Sequence, residues 1–213
     1  MQVLKFGGSS VANASNIKKV IDIVEQQKNA GTSLVVVSAL GGITDLLLEA
    51  CQLASDGNEQ YKEQLDIIEQ RHLQAVRELI PITNQSAVLS FVKTHCNEME
   101  DICNGIFLLK ELSARTKDRM AGFGELLSSK IIAAAIPGAL WTDAASLIKT
   151  DNSYGNAVVD FATTNKNISD YFSSHAAELY LAPGFVATDA AGISTTLGRG
   201  GSDYSAAIFA AAT

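Results

Sequence analysis

The spacing of apolar residues changes several times along this chain, and each change predicts an element. Val3-Leu4-Lys5-Phe6 reads as a short buried strand that breaks at Gly7-Gly8-Ser9-Ser10. Ile17, Val20, Ile21 and Val24 then follow the i, i+3, i+4, i+7 rhythm of one helix face, closed by Gly31. Leu34-Val35-Val36-Val37 is a continuous branched run, as expected of a strand covered on both faces. It breaks at Ser38-Ala39-Leu40-Gly41-Gly42, and Leu47, Ala50, Cys51 and Ala54 mark the next helix. Strand–loop–helix repeated in this way predicts a parallel sheet.

Residues 58–113 depart from that alternation. Leu65, Ile68, His72, Val76 and Leu79 recur every three or four positions, as do Val88, Phe91, His95, Met99, Ile102, Ile106 and Leu109. Two helices separated near Pro81 are expected, a helical excursion from the sheet. His72 and His95 fall on these stripes and read as packed residues rather than ligands. Gly122-Phe123-Gly124-Glu125 is expected to open another helix through Leu127 and Ile131 to Ile136, stopped by Pro137-Gly138. Strands are expected at Ala139–Asp143 and at Leu179–Leu181, the latter leading into Pro183-Gly184-Phe185-Val186. Thr195-Thr196-Leu197 enters Gly198-Arg199-Gly200-Gly201-Ser202-Asp203, and a small-residue helix follows from Tyr204 to Ala212. No internal repeat interrupts this order. The fold class is α/β, three layers with a mostly parallel sheet between helices.

Composition narrows the function. The chain has 213 residues, 47% hydrophobic and 18% charged, enough to bury a sizeable core. No apolar stretch approaches the ~20 residues of a membrane span, and the N-terminus shows no signal peptide, so a cytoplasmic location with no membrane partner is the expectation. A formal net charge of −7 without a basic block argues against nucleic acid. Cys51, Cys96 and Cys103 lack metal-ligand spacing and read as reduced, buried thiols.

In so acidic a chain, the few cations beside glycine-rich turns are informative. Loops after parallel strands face one crevice, where helix N-termini present N–H groups to anions. Lys5 precedes Gly7 and Gly8 and could lay its ammonium on a phosphate held by that loop. In the second loop Ser38 and Thr44 offer hydroxyls around Gly41 and Gly42, although Thr44 reads equally well as a helix N-cap. The third loop combines three glycines with Arg199, Ser202 and Asp203, a set suited to anion recognition. The P-loop, the dinucleotide GxGxxG after the first strand, the protein-kinase HRD and DFG elements and the GxSxG elbow are all missing.

Taken together, these segments resemble the amino-acid kinase family and, within it, the aspartate kinases. Lys5 through Ala12 looks like the family's opening signature, with Ser9 where threonine is more usual. Val37-Ser38-Ala39 through Thr44 looks like its second loop, and Phe123-Gly124-Glu125 like the segment bearing its substrate glutamate. Pro183-Gly184-Phe185 and Thr195 through Tyr204 complete the set. Glu111 through Thr116 is more reminiscent of the bifunctional kinase–homoserine dehydrogenases.

The resemblance implies transfer of the ATP γ-phosphate, with Mg²⁺, to the β-carboxylate of L-aspartate. The product would be aspartyl phosphate, the first step toward lysine, threonine and methionine. Lys5 and Asp203 would be catalytic, Asp203 ordering the cationic groups or helping to position Mg²⁺, with no metal ligand assigned to a side chain. Lys5, Gly7, Gly8, Ser9, Gly41, Gly42, Gly200 and Gly201 would hold ATP phosphates. Thr44, Glu125 and Arg199 would bind aspartate, Glu125 at the α-ammonium and Arg199 at the α-carboxylate, with Ser38, Phe185 and Ser202 lining the pocket. Glu125 also reads as an acid favoured in the first turn of its helix.

The family pattern further implies that residues 1–213 are the N-terminal portion of a catalytic domain, without its nucleoside-binding segment and regulatory domains. Such a chain would turn over poorly, and its full-length parent would be a homo-oligomer. Other readings stay open: an amino-acid kinase for glutamate, acetylglutamate, carbamate or a nucleotide monophosphate, a non-catalytic module for an anionic metabolite, or a dinucleotide-binding oxidoreductase domain.

Overall fold

A computed structural model describes residues 1–27 and 31–213. Four strands form the main sheet: β1 (Gln2–Phe6), β2 (Ser33–Val37), β3 (Ala139–Trp141) and β5 (Leu179–Pro183). They lie in the order β1-β2-β5-β3, every neighbouring pair parallel. The continuous apolar run of β2 has the cause expected for it. Val35 and Val37 enter one core and Leu34 and Val36 the other, because successive side chains point to opposite faces. Leu179 and Leu181 of β5 divide from Tyr180 and Ala182 in the same way.

The first core is covered by α1 (Ala14–Gln27), α2 (Ile43–Ser55), α3 (Tyr61–Leu79), α4 (Gln85–Leu109) and α5 (Ala114–Ala135). The two helices expected within residues 58–113 are α3 and α4, joined by Pro81 and a 3-10 turn at Ile82–Asn84. His72 is fully buried and His95 half-buried; each ring Nδ1 contacts the carbonyl one turn earlier, Ile68 O and Phe91 O. All three cysteines are buried and free. No helix among the described residues is long and apolar enough to cross a membrane.

The second core lies under α6 (Ala144–Leu147), α7 (Phe161–Ser174) and α8 (Gly201–Ala212). A separate small sheet joins this layer: β4 (Lys149–Thr150), β6 (Val186–Asp189) and β7 (Ser194–Thr196), with β4 parallel and β7 antiparallel to β6.

Three expectations need correction. The strand before the third glycine loop is β7, which belongs to the small sheet. A hairpin brings it home: β6 follows β5 almost directly, and β7 returns antiparallel so that the Leu197 N–H donates to Phe185 O at 3.0 Å. The helix carrying Glu125 begins at Ala114, where the Ser113 hydroxyl accepts the Thr116 N–H at 3.1 Å, so Glu125 sits mid-helix rather than in a first turn. The last helix begins at Gly201, before Tyr204, and places Ser202 and Asp203 in its first turn.

Candidate functional site

Strand register sets the rim. Phe6 pairs with Val37 and Val37 with Pro183, so β1, β2 and β5 end at one level. Hydrogen bonds continue one step past the strands, from Ser38 N–H to Phe6 O (3.1 Å) and from Gly184 N–H to Val37 O (2.9 Å). Gly7, Ser38 and Gly184 therefore leave the sheet side by side, with Lys5 one pair inside the rim and Phe185 one residue beyond it. Two helices start here at glycines in left-handed conformation, α2 at Gly42 (φ 76°) and α8 at Gly200 (φ 75°). Neither has a side-chain cap, whereas Ser113, Asp143 and Asp160 cap α5, α6 and α7. Thr44 is consequently a residue inside α2 rather than its N-cap.

These elements enclose a cavity of about 260 Å³ lined by Lys5, Ser38, Thr44, Glu125, Phe185 and the run Gly198–Asp203. Every acceptor-binding residue named from the sequence is in that wall, as are Lys5, Asp203, Gly200 and Gly201. Lys5 Nζ lies 2.8 Å from Asp203 Oδ1, joining the first strand to the last helix. Gly7, Gly8, Ser9, Gly41 and Gly42 stand outside this wall. Gly7 adjoins the cation, since a Cβ there would lie 3.3 Å from Lys5 Nζ. Gly8 and Gly41 pack the first two loops together: a Cβ on Gly41 would fall 3.3 Å from Gly8 O and 2.9 Å from the Ala12 Cβ.

Close backbone approach continues on the far side. A Cβ on Gly184 would stand 2.7 Å from Ser202 Cβ, and one on Gly201 2.7 Å from the Phe185 ring. Phe185 itself has φ 69°, a left-handed conformation costly for a bulky residue and characteristic of functional loops. Its N–H donates to Ser205 Oγ at 2.9 Å, which holds it there.

Glu125 gives the cavity its polarity. It is only 4% exposed, and its Oε2 has no hydrogen-bond partner among the described residues. Burial pushes its pKa up to about 8, against the opposing pull of the Ala39 N–H. A desolvated acid of this kind is stabilised by an incoming cation. Arg199, exposed at the mouth, supplies a fork suited to a carboxylate. The pocket thus offers in its depth an acid that an incoming cation would ionise, and positive groups at its rim.

Sequence reasoning missed two supporting side chains. Arg71 of α3 donates to Gly41 O (2.7 Å) and Ala12 O (3.1 Å), bracing the first two loops from the helical excursion. Asp118 of α5 accepts three hydrogen bonds from the opposite side of the site. The only local signal for Asp118 is its position on the Glu125 face, about two helical turns earlier.

A larger cavity, about 430 Å³, borders the other flank of α5 between His95, Arg115, Trp141 and the β6–β7 hairpin. Its inner polar groups are already engaged: Arg119 pairs with Glu98, and both Asp118 oxygens accept hydrogen bonds. The unsatisfied chemistry is in the smaller pocket. No group of three or more His, Cys, Asp or Glu among the described residues could cage a metal.

Comparison with known proteins identifies the family and the fold. The amino acid kinase family matches residues 1–213. Aspartokinase 1 of Arabidopsis thaliana, a chloroplastic protein, is 34% identical over 96% of this chain, which spans 37% of that relative. The chloroplastic bifunctional aspartokinase/homoserine dehydrogenase 2 of the same plant is 28% identical over 98% of the chain, here 23% of the relative's length. The E. coli aspartokinase III structure, determined with aspartate and ADP, superposes over the whole chain with a TM-score of 0.88 at 27% identity; the chain covers 46% of it.

Proposed function

This chain belongs to the amino acid kinase family, and we propose that its pocket transfers the γ-phosphoryl group of ATP to the β-carboxylate of L-aspartate. The observation that carries the reading is one small cavity holding the buried, half-unpartnered Glu125 carboxylate, the Arg199 fork and the Lys5–Asp203 pair. An amino acid presents an ammonium beside a carboxylate, and Glu125 and Arg199 answer those groups in turn. Thr44 and Ser202 add hydroxyls, and Phe185 closes the wall. Aspartokinase III, at 27% identity, was crystallised with aspartate and ADP, which favours aspartate among the family's acceptors.

The side-chain carboxylate of aspartate, with an ordinary pKa of about 3.9, is already ionised at neutral pH. No general base is required, and no step depends on either helical histidine. Two anions must instead be brought together in line, so the barrier falls through positioning and charge stabilisation. Lys5 Nζ would stabilise the charge gathered on the phosphoryl oxygens, and the glycine loops would let backbone N–H groups approach them. Mg²⁺ fits this chain without a protein cage, since it is commonly held by one or two carboxylates plus substrate phosphates. Asp203, exposed beside Lys5, would supply such a carboxylate, and the ion would neutralise phosphate charge. Gly7, Gly8, Ser9, Gly41 and Gly42 would order the phosphates beside the pocket.

The test is ADP release by the full-length protein with aspartate, glutamate, acetylglutamate and carbamate as acceptors. Aspartate should be strongly preferred; equal turnover of another acceptor refutes the assignment. In the same assay Lys5→Ala should lower kcat by about 100-fold or more, while Arg199→Ala should mainly raise the KM for aspartate, by about tenfold or more.

A further inference from the structure

Asp118 is 4% exposed, and both its oxygens are occupied. Oδ2 accepts the Thr196 N–H at 2.9 Å and the Gly155 N–H at 3.0 Å, and Oδ1 accepts the Thr196 hydroxyl at 2.9 Å. No Lys or Arg among the described residues forms an ion pair with it. A buried carboxylate without a counter-ion is costly, and it persists only when several donors stabilise its charged form. The partners show what that cost is spent on.

Thr196 ends β7, and the chain runs from it through Leu197 and Gly198 to Arg199. Gly155 lies in the loop that backs Gly198 (φ 71°): a Cβ on Gly198 would stand 2.5 Å from Asn156 Oδ1 and 3.1 Å from Gly155 O. The Ala157 N–H closes this loop onto Thr196 O at 3.0 Å. One carboxylate therefore grips both the strand entering the Arg199 turn and the loop supporting that turn. Its own helix, α5, carries Glu125 on the same face about two turns later. Asp118 also borders the larger cavity, but its saturated oxygens leave nothing to offer a ligand there.

We infer that Asp118 is a positioning residue that sets the spacing between Glu125 and Arg199, and so governs acceptor affinity without touching the acceptor. The inference rests on the acceptor reading given above. Sites of this kind tolerate misplacement of about 0.5 Å, and no other described side chain bonds α5 to β7 and to the 151–157 loop together.

The experiment compares wild type, Asp118→Asn, Thr196→Val and Thr196→Ser in the full-length protein, measuring KM for aspartate, KM for ATP, kcat and melting temperature. Asp118→Asn should raise the KM for aspartate by about tenfold or more, the equivalent of one charge-assisted hydrogen bond. Thr196→Val loses only the hydroxyl donor and should raise it about three- to tenfold, whereas Thr196→Ser keeps both donors and should match wild type. The KM for ATP should change several-fold less than the KM for aspartate in each, because Arg71 braces the first two glycine loops independently of Asp118 and only Gly200 and Gly201 share the clamped turn. Equal aspartate KM values for Thr196→Val and Thr196→Ser overturn the inference even if Asp118→Asn does not fold. Parallel losses in aspartate KM, ATP KM and melting temperature overturn it as well, since they mark a purely structural contact. Wild type that turns over no aspartate removes the acceptor reading itself; wild type that does, with an unchanged Asp118→Asn, removes only the clamp.

Discussion

Under the proposed function, Glu125 would make acceptor binding and folding answer to the same proton. Burial raises its pKa from 4.5 to about 8, so the folded protein keeps a proton that the unfolded chain surrenders at much lower pH. The stabilising effect of that proton is complete below the unfolded value and is lost as pH rises through about 8. Glu125→Gln, neutral throughout, should match wild type near pH 4 and exceed it by on the order of 2–4 kcal/mol near pH 9. Melting curves at the two pH values check this, and a pH-independent difference contradicts it. In wild type an aspartate ammonium should drive the proton off. Calorimetric titration with aspartate at about pH 7 in buffers of different ionisation enthalpy should therefore show release approaching one proton. No buffer dependence would separate Glu125 from the ammonium.

At the scale of elements, α5 shows where reading from sequence fails. Gly122 and Gly124 look like punctuation in a hydrophobic pattern and suggest a helix start. In the fold they are contact points in the middle of a helix: a Cβ on Gly124 would lie 2.8 Å from Ala39 Cβ, and one on Gly122 3.2 Å from Val186 Cγ1. Nothing local distinguishes a glycine that ends a helix from one that lets a loop press against it. Asp118 escaped for a similar reason, because it stands among Arg115, Lys117 and Arg119 in what reads as a solvated turn, while its partners are remote in sequence. α7 was missed because it buries only Thr164 and Ile168, too little to leave a stripe. The contrast between two helix glycines gives a prediction. A methyl added at Gly105 of α4 would meet nothing within 4 Å, so Gly105→Ala should stabilise by about 0.5–1 kcal/mol through helix propensity alone. Gly124→Ala gains the same propensity but meets the Ala39 loop, an overpacking cost of about 1–3 kcal/mol, and should come out destabilised. Because Glu125 is the next residue, only Gly124→Ala should also weaken aspartate. Denaturant titration of both variants beside aspartate KM values decides it; identical behaviour of the two glycines refutes the contact argument.

For the whole molecule, the parallel sheet and its two cores were legible, since strand runs and helix stripes obey periods that burial enforces. The pocket was legible in part: Lys5, Ser38, Thr44 and Gly198–Asp203 stand out because anion chemistry demands residue types that a plain turn does not, whereas Glu125 and Phe185 were reached only through the family resemblance. Illegible was the route by which the third loop arrives, a hairpin from a second sheet, because β4 and β7 are two and three residues long. That route leaves the first strand and the last helix joined at the rim by Lys5 and Asp203, whose side chains are 25% and 72% exposed. So open a pair contributes about 0–1 kcal/mol to stability. Under the proposed function its value lies in where it holds an ammonium, since a net charge of −7 would otherwise repel two anionic substrates. Asp203→Asn should therefore shift the unfolding free energy by less than about 1 kcal/mol and lower kcat by about 100-fold. Both quantities are to be measured on one preparation of the full-length protein. A large loss of stability with kcat preserved would make the pair a structural tie and leave Lys5 without a catalytic partner.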